Sequence, residues 1–560
     1  MGYVTFKYSI FDDTIIREEI MIKRFLIVCV FFLLVISLTL PMSFGIILFK
    51  YEILVENKLH VFTETMNFTW PLRGHDLQNT CQSEYEASQN EGYEKWKYFV
   101  DSALHLVTPV IDGDGILYFT SSSKGLYAIY PNGTLKWHSD LVGFTEFQPA
   151  IGLNGTIYAG TLECFHAFYP NGTLQWVLPI KKNFCGRPVV NPDGIIYVGT
   201  NDGYLYAVYP NGTIQWEYYL GYSIIASSLD AEGNVYFVAR YCDYLYCLNP
   251  NGTLRWTFET VQDIYDAPLI GDDGTIYTVP VYDVIVINPN GTEKWRVPSN
   301  GDGSSPSLAP DGTIVYSSLT EDVFGLDPDY GHIRWHYQLG FNPYDKTRAV
   351  MGSDGTIFFA YTDKWGTKAY LSAMNPDGTL KWTTRITSDI YPYSGMDLSS
   401  TPSIGADGTV YMTTWFHGET TSHGYVHAFG QRDPNAPTTP TVNGPLRGNI
   451  GIQHEYTFTS TSPTGNDIYY YILWGDDSYM NWTGPFCSGE PMSVNHSWSK
   501  WGIYKVQVRA RDSDNLWSPW GTLKIMMPIS YNSQFKLLCE RLFEQFLNSN
   551  PILKYVIGGR

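Results

Sequence analysis

The side chains able to carry chemistry in this 560-residue chain are few and dispersed. His417, His423 and His427 fall close together in Trp415-Phe416-His417-Gly418-Glu419 and the strand after it, and three imidazoles at such spacing could ligate a metal. The plainer reading is a polar loop. The carboxylates of Asp112-Gly113-Asp114-Gly115 and Gly271-Asp272-Asp273-Gly274 are of the kind that holds calcium. They lack the full spacing of a calcium loop, and turn chemistry accounts for them. There are 8 cysteines and no Cys-x-x-Cys, so zinc and thioredoxin chemistry have no support. In an oxidising compartment Cys242 and Cys247, which flank an expected hairpin turn, could form a disulfide, and so could Cys164 and Cys185. The alternative for each is a small buried side chain. Neither a Gly-x-Ser-x-Gly elbow nor a phosphate-binding loop occurs, which removes the common hydrolase and nucleotide-binding readings. No residue is assigned a catalytic, cofactor-binding or metal role.

A further recurring triplet is Asn-x-Ser/Thr, the acceptor for N-glycosylation. It occurs at Asn67, Asn132, Asn154, Asn171, Asn211, Asn251, Asn290, Asn481 and Asn495. Most copies are by-products of an Asn-Gly-Thr turn. In an exported chain some of them would be modified.

The elements that must position these residues come from a repeat. Pro131-Asn132-Gly133-Thr134-Leu135-Lys136-Trp137 returns at 170–176, 210–216, 250–256 and 289–295, and with Asp for Asn at 376–382. Asp327–Trp335 fills the one gap, and Trp96 fits the column upstream. The tryptophans are Trp96, Trp137, Trp176, Trp216, Trp256, Trp295, Trp335 and Trp382, spaced by 41, 39, 40, 40, 39, 40 and 47 residues. About 20 residues before each later tryptophan stands an Asp-Gly, Asn-Gly or Glu-Gly pair, and an eighth copy, Asp407-Gly408, follows the last of them. Such pairs supply the positive φ of tight hairpin turns, and the β-branched and aromatic runs between them read as strands. Four short antiparallel strands per repeat of about 40 residues describe a propeller blade, whose two faces only neighbouring blades can bury. The last unit lacks its own Trp segment. The strand around Trp96 is therefore expected to complete the eighth blade and close the ring.

Composition agrees. Aromatic residues are 16%, with 43 Tyr and 51 Gly, which favours an all-β class. Net charge is −19 and no basic stripe appears, so nucleic acid is excluded as a partner. Residues 25–49 are apolar and follow Lys23-Arg24. This predicts a signal peptide or a transmembrane anchor, with 1–24 cytoplasmic, or a mis-assigned start if translation begins at Met21, and the rest extracytoplasmic.

The Gly-to-Trp offset of four, kept in seven copies, together with Ala128…Gly133…Trp137, closely resembles the repeat of pyrroloquinoline-quinone-type (PQQ-like) propellers. The resemblance implies a girdle in which each Trp stacks on a peptide of the adjacent blade. Trp70–Thr80 is similar to the lead-in that precedes the first blade in that family. Quinone-dependent members need calcium, a central Asp, a ring-stacking Trp and usually adjacent cysteines. No adjacent cysteines occur here, and the blades have no long insertions. After the linker Pro434–Pro440, Trp474-Gly475-Asp476 and Gly502–Asp512 resemble a PKD- or fibronectin-like β-sandwich of immunoglobulin type. Asp477 departs from the Gly usual in that turn.

The expected organisation is all-β. A lead-in spans 50–95, an eight-bladed propeller 96–432, a linker 433–440, a sandwich 441–528 and an amphipathic helical tail 529–560, with Phe535, Leu538, Leu542 and Phe546 on one face. The expected function is a binding or scaffold module at the cell surface for protein or glycan partners, attached to the membrane by the N-terminal helix. No cofactor is expected. A PQQ- and calcium-dependent oxidoreductase and a carbohydrate-binding adhesin are the alternatives.

Overall fold

The computed structural model describes residues 69–527, except 105–106, 142, 146, 180–185, 263, 300–305, 319–321, 387–395, 399, 418–421 and 477, together with 541 and 545. The apolar segment 25–49, Asn67 and the apolar face of 529–560 lie outside the described residues. Arg541 and Gln545 are helical and exposed. Among the described residues no helix is long and apolar enough to cross a membrane.

The protein is all-β. In chain order, seven four-stranded antiparallel sheets each run from a short inner strand to an outer one. The first holds Val110–Ile111, Leu117–Ser121, Gly125–Ile129 and Leu135–Ser139, and the seventh ends at Leu380–Ile386. The middle strands bury every residue or nearly so, as in Ile196–Gly199 and Val235–Ala239. Strands buried on both faces read as continuous apolar runs, and that is the pattern here. An eighth sheet is built from both ends of the repeat region. Val410–His417 pairs with Ser422–Gly430, which pairs in turn with Tyr93–Val100.

The outer strand of each sheet carries its tryptophan opposite a small or compact residue. The pairs include Ala128 with Trp137, Ala207 with Trp216, Cys247 with Trp256 and Gly325 with Trp335. A register shift follows immediately at each. A bulge at a fixed place re-aims a side chain. Here the indole reaches the next sheet, where it lies on the glycine of that sheet's Pro-Asn-Gly turn. A Cβ at Gly252, for example, would sit 2.7 Å from Trp216 Cδ2. The other recurring turn packs within its own sheet, with Gly115 against Pro131 and Gly194 against Pro210. These glycines hold φ between +71° and +86° in every repeat turn cited here.

Cys247 is thus a small residue facing Trp256, which corrects the expectation that it pairs with Cys242. Both are free thiols. Cys242 follows the turn, two residues ahead of the strand Tyr244–Leu248, and its Sγ lies 3.5 Å from the Tyr246 hydroxyl, while Cys247 is five residues further on, within that strand. The two do not flank the turn, so the spacing across one strand keeps their sulfurs apart. Cys185 lies outside the described residues, and with it the Cys164 pairing.

After the linker, Thr441–Asn443, His454–Thr459 and Met492–His496 form one sheet, and Tyr479–Phe486, Ile468–Leu473, Gly502–Asp512 and Gly521–Met527 form another. Tyr456, Trp474 and Trp498 fill the core between them. At the Trp474-Gly475-Asp476 turn, Asp476 accepts from His496 Nε2 at 2.9 Å, and the imidazole stacks on Trp474 with centroids 4.2 Å apart.

Gly252→Ala is expected to destabilise the protein by about 1–3 kcal/mol, because the new methyl meets the indole and the φ of +83° strains any Cβ. Asp377→Asn restores the commoner turn sequence and is expected to be within about 0.5 kcal/mol of wild type. Equilibrium urea unfolding of both variants checks the pair.

Candidate functional site

Residues 70–92 do not simply precede the first sheet. They run across the Asp-Gly-turn end of the inner strands and bond to them in order. Trp70 exchanges two backbone hydrogen bonds with Ile111 of the first sheet, and Ile151 of the second donates to Pro71. Leu229 donates to Leu77, Ile270 to Gln78, Leu308 to Thr80 and Met351 to Cys81, which reaches the fourth to seventh sheets. Asn90 Nδ2 then donates to the Gly408 and Phe429 carbonyls of the eighth, both at 2.9 Å. The segment is a strap along the inner rim. His75, Asn79 and Cys81 all adopt positive φ in it. Non-glycine residues rarely do so unless the surroundings impose it. Gly74 lies so close to Asn79 that a Cβ there would be 2.0 Å from Asn79 Oδ1.

Beside the strap, two arginines converge on one carboxylate and a third lies close by. Arg73 and Arg187 both bond Asp266, one on each oxygen. Arg348 donates to Asn79 Oδ1 at 2.7 Å, to the Asn79 and Pro306 carbonyls, and to Ser307 Oγ. Burial alone would raise the Asp266 pKa, but Arg187, Arg73 and Arg348 outweigh it and hold the carboxyl ionised far below its usual range. Burial and the neighbouring Arg73 push Arg187 down to about 9, with Asp266 opposing. The cluster ties the strap to the third, fifth and seventh sheets. The cavity it encloses is about 20 Å³, room for about one water.

A second buried charge cluster joins the sandwich to the eighth sheet. Glu94 Oε1 accepts from His427 Nδ1 at 2.8 Å, and Oε2 accepts from Arg509 of the sandwich. His427 Nε2 is 2.9 Å from Thr414 Oγ1. The Arg509 guanidinium lies 4.6 Å from the Trp517 ring, and its Nε donates to the Ser518 carbonyl. Burial raises the Glu94 pKa, but the Lys97 charge, the His427 bond and Arg509 prevail and hold it at about 2.

The expected girdle residues occupy equivalent places. Nε1 of Trp96, Trp137, Trp176, Trp216, Trp256 and Trp295 donates to the carbonyl of the next turn's proline, at 2.7–3.2 Å. Trp382 donates to Asn90 at 2.7 Å and its ring lies on Gly92. Trp335 packs on Gly378 but its Nε1 is without a partner. Gly92 to Trp96 is an eighth copy of the four-residue offset, so the closing turn was present in the sequence in a disguised form. Asn132, Asn171, Asn211, Asn251 and Asn290 are exposed, and each Oδ1 accepts from the Thr two residues on. Asn154 makes the backbone half of that turn, and Asn154, Asn481 and Asn495 are exposed.

The histidine expectation changes. His423 and His427 lie on a strand rather than a loop, His423 between Phe99 and Phe416 and His427 on Glu94. Among the described residues no three His, Cys, Asp or Glu side chains gather as a metal site requires. The Asp112 carboxylate is taken up by the Asp114 and Ile116 amides and the Tyr118 hydroxyl. Sequence reasoning missed Arg73, Arg187, Asp266 and Arg348. A signal existed: two residues before the inner strand of most sheets, usually followed by proline, stands an uncharged residue (Thr108, Gln148, Ala267, Thr401), and Arg187 and Arg348 put a charge there.

Residues 202–429 match the family model described as outer membrane protein assembly factor BamB. Among solved structures, a europium-containing methanol dehydrogenase is 13% identical with a TM-score of 0.51, over 66% of this chain and 98% of that one. BamB from Moraxella catarrhalis is 14% identical with a TM-score of 0.47, over 60% and 99%. The PKD domain of an M14-like peptidase from Thermoplasmatales archaeon SCGC AB-540-F20 is 47% identical with a TM-score of 0.17, over 17% of this chain and 98% of that one. No curated protein matches the chain.

The group that quinone-dependent members bind does not fit at the arginine cluster. A ligand of that size needs about 300 Å³ or more, against the 20 Å³ enclosed here.

Asp266→Ala is expected to cost about 3–5 kcal/mol, because it leaves the Arg73 and Arg187 guanidinium groups unpaired, and Arg73→Met and Arg187→Met combined with Asp266→Leu are expected to recover much of that loss. Chemical denaturation of the single and triple variants measures it. Glu94 gives a pH signature of depressed-carboxylate sign. Its contribution is present above the ordinary value of 4.5 and is lost as pH falls towards about 2. Melting temperatures between those limits should fall more steeply for wild type than for Glu94→Gln.

Proposed function

We propose that this chain is an exported, membrane-attached protein in which eight sheets form an eight-bladed propeller (96–432). On this reading the chain runs on through a linker (433–440) into a PKD- or fibronectin-like sandwich of immunoglobulin type (441–528). The whole acts as a binding scaffold for a protein partner on the extracytoplasmic side. The observation that carries the scaffold reading is the strap. The chain's own residues 70–92 and the Arg73–Asp266–Arg187 cluster occupy the inner rim, where a cofactor-dependent propeller would need a ligand-sized space. The matched family description, an assembly factor, is compatible with a protein partner. Ring closure is supported by the Tyr93–Val100 strand and by indoles that reach from each sheet to the next.

Calorimetric titration of the folded full chain with pyrroloquinoline quinone and calcium is expected to give no binding heat. Stoichiometric binding would replace the scaffold reading with an oxidoreductase. Cross-linking on intact cells, followed by identification of the adduct, is expected to yield a protein partner, and recovery of glycan alone would favour the adhesin.

A further inference from the structure

Two bulky residues are held in solvent on strained backbone, side by side. Tyr241 is 80% exposed with φ +58°, and Val261 is 66% exposed with φ +65°. Positive φ is a clear outlier for aromatic and β-branched residues and persists only where the surroundings impose it. Neither side chain gains burial in return. The two loops that carry them, 240–243 and 260–262, belong to the fourth sheet and are bonded together. Thr260 donates its amide to the Asp243 carbonyl at 2.7 Å, and its Oγ1 bonds the Asp243 and Gln262 carbonyls at 2.9 and 2.8 Å.

The same hydrogen-bond chain extends to both neighbouring sheets. The Arg240 amide donates to the Ser223 carbonyl, next to exposed Tyr222 at the head of the fourth sheet's inner strand, and Ser223 Oγ donates to Asn201 Oδ1 of the third sheet at 2.8 Å. The Tyr282 amide donates to Gln262 Oε1 at 2.9 Å, and Tyr282 is itself 61% exposed. Tyr219 and Tyr244 are exposed at the same end of these sheets. This end is opposite the Asp-Gly turns, where the strap lies and where the strand Ser422–Gly430 hands over to the linker. Strap and linker therefore leave these loops uncovered.

The charges around the tyrosines are mostly of one sign. Asp202, Asp243 and Glu259 are exposed, Arg240 is the one exposed cation, and no lysine occurs in 200–204, 219–224, 240–244, 259–265 or 280–283. Asp283 is engaged by Arg296. Tyrosine faces and carboxylates together attract cations, and a low-entropy aromatic surface is the usual anchor of a protein interface. An acidic surface of this kind repels nucleic acid and anionic lipid.

We propose that the 240–243 and 260–262 loops, with the flanking tyrosines, dock a basic segment of a protein partner, Arg or Lys side chains lying on the rings and pairing with Asp202, Asp243 and Glu259. This rests on the scaffold reading and locates its contact surface. The test uses the full chain and a fluorescent peptide of eight Arg-Gly repeats, followed by anisotropy, with a Glu-Gly peptide of equal length as the anionic counterpart. Wild type is expected to bind the Arg-Gly peptide, more weakly as salt rises, and to ignore the Glu-Gly peptide. The double variant Tyr241→Gly, Val261→Gly relieves both positive φ angles, so it should fold at least as well as wild type while binding on the order of tenfold more weakly. Tyr330→Ser, which removes a 71% exposed ring beside a Pro-Asp turn at the opposite end, should bind as wild type does. Failure to bind the Arg-Gly peptide, or equal binding by the Gly double variant, would overturn the proposal. In either case a protein adduct recovered by cross-linking would leave the scaffold reading standing, with its contact surface elsewhere.

Discussion

The contact on which the structure depends is an indole laid on a glycine of the next sheet. Each sheet has two apolar faces and no means of covering both. The Trp of one sheet reaches the Pro-Asn-Gly turn of the next, where the absence of a Cβ and a positive φ let the ring approach to van der Waals distance. The register shift beside each Trp, and the small residue opposite it, aim the ring outward. Because the contact is between sheets, it repeats until the series meets its own beginning. Trp382 therefore needs a turn that the repeat no longer supplies, and Asn90-Glu91-Gly92 supplies it from the N-terminal side.

That closure gives residues 70–100 several tasks. The strap satisfies backbone amides of the inner strands, Asn90 and Gly92 receive Trp382, Tyr93–Val100 pairs with Ser422–Gly430, and Glu94 reaches across to Arg509 of the sandwich. Edge strands left open would invite pairing with other chains, and the shared sheet removes that opening. Buried charge is placed where the chain must be fixed to itself: Asp266 between two arginines under the strap, and Glu94 between His427 and Arg509 at the junction with the sandwich. Beside Asp266 there is room for about one water. Both clusters specify which segments meet, at a desolvation cost that apolar contacts would not carry.

The strap lies along one rim only, and the opposite rim carries none of it. Its loops differ from sheet to sheet, whereas the Asp-Gly and Pro-Asn-Gly turns at the strap end are nearly identical, since each must pack in the same way. Variation is free only where packing does not constrain it. The exposed tyrosines of the third to fifth sheets lie in such loops.

The sequence by itself determined the all-β class, the strand-turn periodicity and the eight tryptophans. Each of these is a local requirement repeated about every 40 residues: positive φ at a turn, a β-branched run, a ring four residues after a glycine. It also pointed to Trp96 as the missing outer strand. Only the tertiary structure decided that Trp70–Gly92 is a strap on the inner rim, that Cys247 faces Trp256 instead of pairing with Cys242, and that His427 serves a carboxylate. Arg73, Arg187, Asp266 and Arg348 are separated by up to 275 residues, with no shared motif, and Glu94 and Arg509 by 415. Ring closure brings such residues together, and it depends on every sheet at once, so no local stretch of sequence records it.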